Sequence, residues 1–393
     1  MSSIRGYERP NGPPGIRNCV LTIHTVECSS FVSQQIAAID PRIHAMGFPG
    51  CYSNEYAARL MTALASHPNV GAVLLVSLGC EGTDAGVLAS GIANNGRPVE
   101  ILRIQQAGGT EPAIARGREI ANRLLRFIEH VPQIEIEISD LIVGAECGGS
   151  DATSGIAANP AVGAAFDRLV DAGATVLIDE TLEMVGCGDV IASRGADVAA
   201  SQLLRHAIDK AERFSLLADQ FSIAPGNRAG GLTTIEEKSM GAFIKCGSRP
   251  ISGVVKVAER PCGRGLFLLD SVPDPSAFVF GYSNPNDSEG ILDLVSCGAH
   301  IVLFTTGRGS VIGSVISPVL KVCGNPETFS RMSGDMDVNA GLIIRGEASV
   351  EDIGVEIFHR VTAIAGGELT KAERLGHREY CIPYKHQDLC VNS

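Results

Sequence analysis

Short apolar runs that break into glycine-bearing polar loops, with helix-like segments between them, recur along this chain. No other feature limits its fold as much. Cys19-Val20-Leu21-Thr22-Ile23 leads to Cys28-Ser29-Ser30, Ala72-Val73-Leu74-Leu75-Val76 to Leu78-Gly79-Cys80-Glu81-Gly82, and Leu141-Ile142-Val143 to Cys147-Gly148-Gly149. Thr175-Val176-Leu177-Ile178 ends in Asp179-Glu180, and Ile301-Val302-Leu303-Phe304 enters Thr305-Thr306-Gly307-Arg308-Gly309. Helix-like patterns occupy 55–64 and 113–128. Strands alternating with helices imply βαβ units, so the expected class is α/β, with mainly parallel sheets and flanking helices. At 393 residues the chain exceeds one ordinary core. Two packed subdomains are therefore expected, residues 1–135 and residues 136–393, the second carrying the Cys147–Asp151 and Thr305–Gly309 loops.

Composition narrows the class of partner. The formal charge of −12 comes without a dense Lys/Arg stripe, which argues against nucleic acid and anionic membrane. No run approaches the roughly 20 apolar residues of a membrane span, and the start lacks a basic-then-apolar leader. Twelve scattered cysteines read as reduced thiols, mostly core filler, and a cytoplasmic location is expected.

The segment from Cys147 to Gly155 holds the densest chemistry. It combines a thiol, the Asp151 carboxylate and the hydroxyls of Ser150, Thr153 and Ser154, between an apolar run and a helix that includes Asn159 and Pro160. Ligands of open α/β sheets gather beyond strand ends of this kind, and glycine lets backbone approach them closely. Cys51, Cys80 and Cys147 all stand in glycine turns, and parallel strands could deliver them to one edge. Three convergent thiolates would suit iron or zinc, or an iron–sulfur cluster; the alternative is three small residues near turns. Glu180 and Glu183 share a face if a helix starts there, as metal ligands or a general base, or else as ordinary exposed glutamates.

Anion-binding candidates follow the same reasoning. Arg17 and Arg308 sit in glycine settings where guanidinium forks can meet carboxylates. Thr234, before the helix predicted from Ile235, supplies a helix start with free N–H groups. Lys238 and Lys245 lie along that helix, as desolvated bases or surface lysines. There is no P-loop, no dinucleotide fingerprint and no serine nucleophile elbow. His67, before Pro68, reads as a solvated turn histidine.

Longer motifs carry a resemblance. Gly6-Tyr7-Glu8-Arg9 with Gly15-Ile16-Arg17-Asn18, His67-Pro68-Asn69-Val70, Leu78-Gly79-Cys80-Glu81, Cys147 through Gly155, Pro225-Gly226-Asn227 with Gly230 through Ser239, and Phe304 through Gly309 resemble the altronate and galactarate dehydratase family of sugar-acid lyases. That family includes the large subunit of sulfolactate sulfo-lyase. The resemblance implies β-elimination from a small anionic hydroxy acid, helped by Fe2+ (alternatively an iron–sulfur cluster or Mn2+); the alternative is a non-catalytic homologue that binds a sugar acid or regulates. It also implies a homo-oligomer and, since the family's extra N-terminal domain has no counterpart before Gly6, either a separate small subunit that supplies that part or a protein that works without it. It places Lys238, Glu183 and Asp151 as proton-transfer candidates. Arg17, Ser150, Thr153, Thr234 and Arg308 become substrate-binding candidates, and Cys51, Cys80 and Cys147 metal-ligand candidates. Gly188-Asp189, where relatives tend to carry glutamate, departs from the pattern.

Overall fold

The structure, a computed structural model, describes residues 4–218, 225–273 and 286–385. Ala224, at the head of the Pro-Gly-Asn segment, and residues 386–393 of the tail lie outside the described residues.

The protein is α/β, and its two larger sheets are wholly parallel. Strands β1 (Ile4–Tyr7), β2 (Cys19–His24), β3 (Ile43–Gly47), β4 (Val70–Ser77), β5 (Val99–Arg103) and β6 (Gln133–Ile136) come first. Then follow β7 (Ile142–Cys147), β8 (Thr175–Ile178), β9 (Ile251–Lys256), β10 (Gly265–Asp270), β11 (Ile301–Thr306), β12 (Val319–Cys323) and β13 (Val338–Asn339). The four-stranded sheet has the order β3-β2-β4-β5 and the seven-stranded sheet the order β13-β12-β11-β7-β8-β10-β9. β1 and β6 form an antiparallel clasp, Ile4 opposite Ile136, between the segments that build the two sheets.

Burial explains the apolar runs. Every residue of β2, β4 and β11 is buried, as expected for parallel strands covered on both faces. The Thr110–Glu129 helix turns Ala113, Gly117, Ile120, Ala121, Leu124, Leu125 and Ile128 inward, one stripe at helical spacing. Those residues meet Val20, Leu74 and Val76 of the four-stranded sheet. On the large sheet, the Asn159–Asp171 and Val350–Ala365 helices cross closely, Gly354 lying against Ala164, where a Cβ would approach to 2.7 Å. A shared apolar layer joins the two sheets: Ile23, Leu64 and Val73 cluster with Leu177, Val255, Leu294 and Phe304.

His67 is buried here, not solvated. Its ring accepts from Asn69 N at 3.0 Å and lies 3.2 Å from Ala299 O, so the turn docks one sheet unit onto the other.

Candidate active site

β7 lies between β8 on one side and β11 on the other, so the chain leaves its carboxyl end in opposite directions. Open parallel sheets place a crevice at such a reversal. The loops that follow β7 and β11 are stitched there by backbone bonds: Gly148 N to Thr305 O at 2.9 Å, and Gly307 N and Arg308 N to Gly149 O at 3.1 Å each. Two glycines make the approach possible. A Cβ on Gly307 would lie 1.9 Å from Asp151 Oδ1, and one on Gly148 would lie 2.4 Å from the Phe304 ring.

Beneath these loops the strand ends carry charge. β7 closes with Glu146 and Cys147, and β8 is followed by Asp179 and Glu180, all buried. The Ile235–Lys245 helix lies over them. Its start is fixed by a capping box in which Thr234 Oγ1 accepts from Glu237 N and the Glu237 carboxylate accepts from the backbone of Thr234 and Thr233. Positions seven apart share a helix face, so Lys238 and Lys245 point the same way. Lys238 Nζ donates to Cys147 Sγ at 2.7 Å and reaches Ser150 Oγ at 3.5 Å. Lys245 pairs with Glu180, and neither side chain exposes any surface.

The electrostatics follow from burial with partial compensation. Burial lifts Glu146 well above the carboxylate range, and Asp179, Cys147, Glu180 and Glu183 push it further. Burial also raises the Cys147 thiol to about 12; Glu180 adds to this and outweighs Lys238. Burial alone would lower Lys238, yet Cys147, Glu180 and Glu183 overcome it and keep the ammonium. Glu183, half-buried, is raised by desolvation and Glu180 against the pull of Lys238 and Lys245. Asp287 is likewise raised by desolvation, with Lys238 opposing, and its Oδ2 borders Gly148.

One group of side chains could hold a metal. Single ligand atoms of Glu146, Cys147 and Glu180 lie within 4.8 Å of one another. Glu146 Oε2 and Glu180 Oε2 are buried without hydrogen-bond partners, which leaves lone pairs turned to no donor. Two carboxylates and one sulfur fit a divalent iron or manganese ion. They do not fit an iron–sulfur cluster, which needs several thiolates.

The residues singled out in the sequence divide sharply. Cys147, Lys238, Ser150 and Glu183 come together, and Asp151, Thr153 and Arg308 lie in the loops above them. Asp151 is committed to structure: Oδ1 accepts from Thr153 N at 2.9 Å and Thr153 Oγ1 at 2.5 Å, and Oδ2 accepts from Asn325 Nδ2 at 3.0 Å. It ties the cysteine loop to the loop after β12 and leaves little capacity for moving a proton, and the Thr153 hydroxyl is spent on it. The Arg308 guanidinium is exposed and has no hydrogen bond or ion pair among the described residues.

The three-thiol expectation fails. Cys51 and Cys80 are exposed, Cys147 is buried, and among the described residues no ligand group of three thiols forms. Arg17 is a strut rather than an anion clamp: it pairs with Glu373 at 2.7 Å and donates to Ile364 O and Glu368 O. Thr234 is exposed and acts as a helix cap. Sequence reasoning missed Glu146, Asp287, Asn227 and Asn325. Asn227 Oδ1 accepts from Ser150 N at 2.9 Å and so shapes the cysteine loop. A signal for Glu146 did exist: a lone charge inside the apolar run Val143-Gly144-Ala145-Glu146-Cys147.

Comparison with known proteins adds an independent line. Residues 138–387 match the family model of the D-galactarate/altronate dehydratase C-terminal domain. Residues 6–129 match that of the D-galactarate dehydratase/altronate hydrolase second domain. The chain is 32% identical over 394 residues to the (2R)-sulfolactate sulfo-lyase subunit beta of Chromohalobacter salexigens, covering 96% of each. It is 30% identical over 398 residues to an altronate dehydratase of Escherichia coli, covering 96% of this chain and 77% of that one. With the galactarate dehydratase (L-threo-forming) of Escherichia coli it shares 32% over 320 residues, 79% of this chain and 59% of that one.

Proposed function

Because the chain belongs to the D-galactarate/altronate dehydratase family, we propose that it is a lyase that eliminates water or sulfite from a small sugar acid or 2-hydroxy acid. The observation that carries this reading is the buried cluster of Glu146, Cys147, Glu180, Lys238 and Lys245 at the reversal of the large sheet. A proton on carbon beside a carboxylate is very weakly acidic, and its removal builds negative charge on that carboxylate. Fixed ammonium groups in a site of low dielectric stabilise such charge without reorganising.

Each residue then has a task. Arg308, unpaired at the mouth, meets the substrate carboxylate. Glu183, its carboxyl raised by burial and by Glu180, takes the α-proton. Lys238 and Lys245 offset the charge that develops on the carboxylate as the carbon–carbon double bond forms. The bond to the leaving group breaks, and Asp287, whose carboxyl burial raises above the usual carboxylate range against the pull of Lys238, is the group placed to give a proton to departing hydroxide. Sulfite needs no such proton. A divalent iron or manganese ion held by Glu146, Cys147 and Glu180 would supply Lewis acidity beside that charge.

The test is anaerobic turnover of altronate, galactarate and sulfolactate by protein purified with ferrous iron. Chelation is expected to abolish activity, and full activity at near-zero iron content would defeat the metal part. Asp287→Asn is expected to slow dehydration on the order of 100-fold while leaving sulfite elimination nearly intact. Equal loss with both leaving groups would remove Asp287 from its role.

Partnership and location complete the proposal. Similarity to a subunit named beta supports a two-component enzyme, this chain being the large subunit of a homo-oligomer that works with a separate small subunit. No helix among the described residues is long and apolar enough to cross a membrane, and a cytoplasmic site of action is proposed. Co-purification of a small protein with the tagged chain from its native cell tests the partnership.

A further inference from the structure

A cavity of about 620 Å³ opens at the amino ends of β4 and β5, on the smaller sheet rather than the one that holds the catalytic cluster. Pro10, Pro98, Phe127 and Val131 give it apolar walls, and Arg9 and Arg97 line it. The exposed Glu8 and His130 stand at its rim.

The arginines are unusual in what they lack. Arg97 is 2% exposed, and its Nε and Nη1 have no hydrogen-bond partner. Its Nη2 reaches Ser66 O at 3.4 Å, and Arg260 Nη2 donates to that same oxygen at 3.1 Å, so two guanidinium groups converge on one neutral carbonyl. Arg9 donates only to neutral acceptors: Pro68 O at 2.6 Å, Glu8 O at 3.2 Å, Arg17 O at 3.2 Å and Asn18 Oδ1 at 2.9 Å. Among the described residues no carboxylate pairs with any of the three. Burial, with the charges of Arg9 and Arg260, pulls Arg97 down to about 9, still protonated at neutral pH. Buried charge without a counter-charge is strongly unfavourable, and an anion relieves it.

We propose that this cavity is a binding site for a small organic anion, a carboxylate or phosphate with an apolar body, held by Arg97 with Arg9 and Arg260 around it. The anionic end meets the guanidinium cluster and the body lies against the proline and phenylalanine walls. Charge and shape both select this class over a purely inorganic ion.

The test is thermal unfolding of the intact chain with benzoate, neutral benzamide or inorganic phosphate, each at about 10 mM and fixed ionic strength. Benzoate is expected to raise Tm by ~2–4 °C while benzamide does not. Arg97→Met is expected to abolish that rise and to raise Tm without ligand, because the uncompensated charge is gone. Phe127→Ala changes a half-exposed wall residue and should weaken benzoate binding several-fold by calorimetry while the fold survives. It decides the matter if Arg97→Met does not fold. No rise with benzoate, an equal rise with benzamide, or unchanged benzoate affinity in Phe127→Ala would overturn the proposal. A rise with phosphate alone would overturn the organic class of ligand.

Discussion

Cys80 follows β4 and Cys147 ends β7, both in glycine loops at the carboxyl ends of buried parallel strands, yet their surroundings are opposite. Cys80 is exposed, and its loop is tied down by neutral hydrogen bonds, Gly82 N donating to Cys51 O at 2.8 Å. Its neighbour Glu81 accepts from Ser77 Oγ at 2.6 Å, Leu78 N at 3.1 Å and Gly79 N at 2.7 Å, and from the Thr25 hydroxyl after β2. Those bonds outweigh partial burial and hold the Glu81 carboxyl down at about 2. Cys147 is buried under a helix that brings two ammonium groups against it and Glu180. The same local pattern therefore yields an open turn held by neutral donors in one place and a charged, dry cluster in the other. What differs is the element that covers the loop. Chemistry at a strand end is decided by its cover, because burial is what makes charge costly and pKa values mobile.

The comparison can be broken most forcefully at Glu180. Glu180→Gln leaves Lys245 buried without its counter-charge and should lower the unfolding free energy by about 3–5 kcal/mol in urea titrations at neutral pH. A loss below about 1 kcal/mol, the range for a single neutral hydrogen bond, would erase the contrast with Glu81. Next, Cys147→Ala should cut turnover by roughly 100-fold, about 2.7 kcal/mol in activation free energy. In the same comparison the Cys80 thiol should react quickly with an alkylating reagent and the Cys147 thiol only on unfolding.

The pH dependence sharpens the exposed side. The folded pKa of Glu81 is depressed, so its contribution to stability is fully present above the unfolded value near 4.3 and is lost as pH falls toward about 2. Solvent screening at a partly exposed loop limits that contribution to about 1 kcal/mol or less. Glu81→Gln should flatten the acid limb of stability measured from pH 5 to 2.5, and an unchanged limb would discard the lock. The smallest effect is expected at Cys80→Ala, within about 0.5 kcal/mol in stability and less than twofold in turnover. A large loss there would restore the thiol to the catalytic site.

Particular residues mark how far the chain could be read unaided. Strand and loop alternation put Cys147, Ser150 and Arg308 in glycine loops after apolar runs, since side-chain burial and glycine turns repeat with the backbone, but the same reasoning sent Cys51 and Cys80 to the edge of Cys147, where they are not. Lys238 was legible as a helix residue, but whether it faced solvent or a thiol 91 positions away was not. Asp151 misled because a carboxylate in a glycine loop looks the same whether it serves substrate or ties loops together. Arg17 and Thr234 misled in the same way, as a strut and a cap. Asp287 left no trace, because it comes from a helix start whose neighbour in space is a distant glycine.

The linear order of apolar runs, glycines and caps was sufficient to determine a parallel α/β architecture, its helix starts and the loops where chemistry gathers. These depend on backbone geometry and periodic burial, which are local. Only the tertiary structure decided which charges meet, which loop is covered and which arginines are left without a partner. Coulomb energy and desolvation depend on through-space distance and on the surrounding medium, and neither is written in the spacing of residues along a chain.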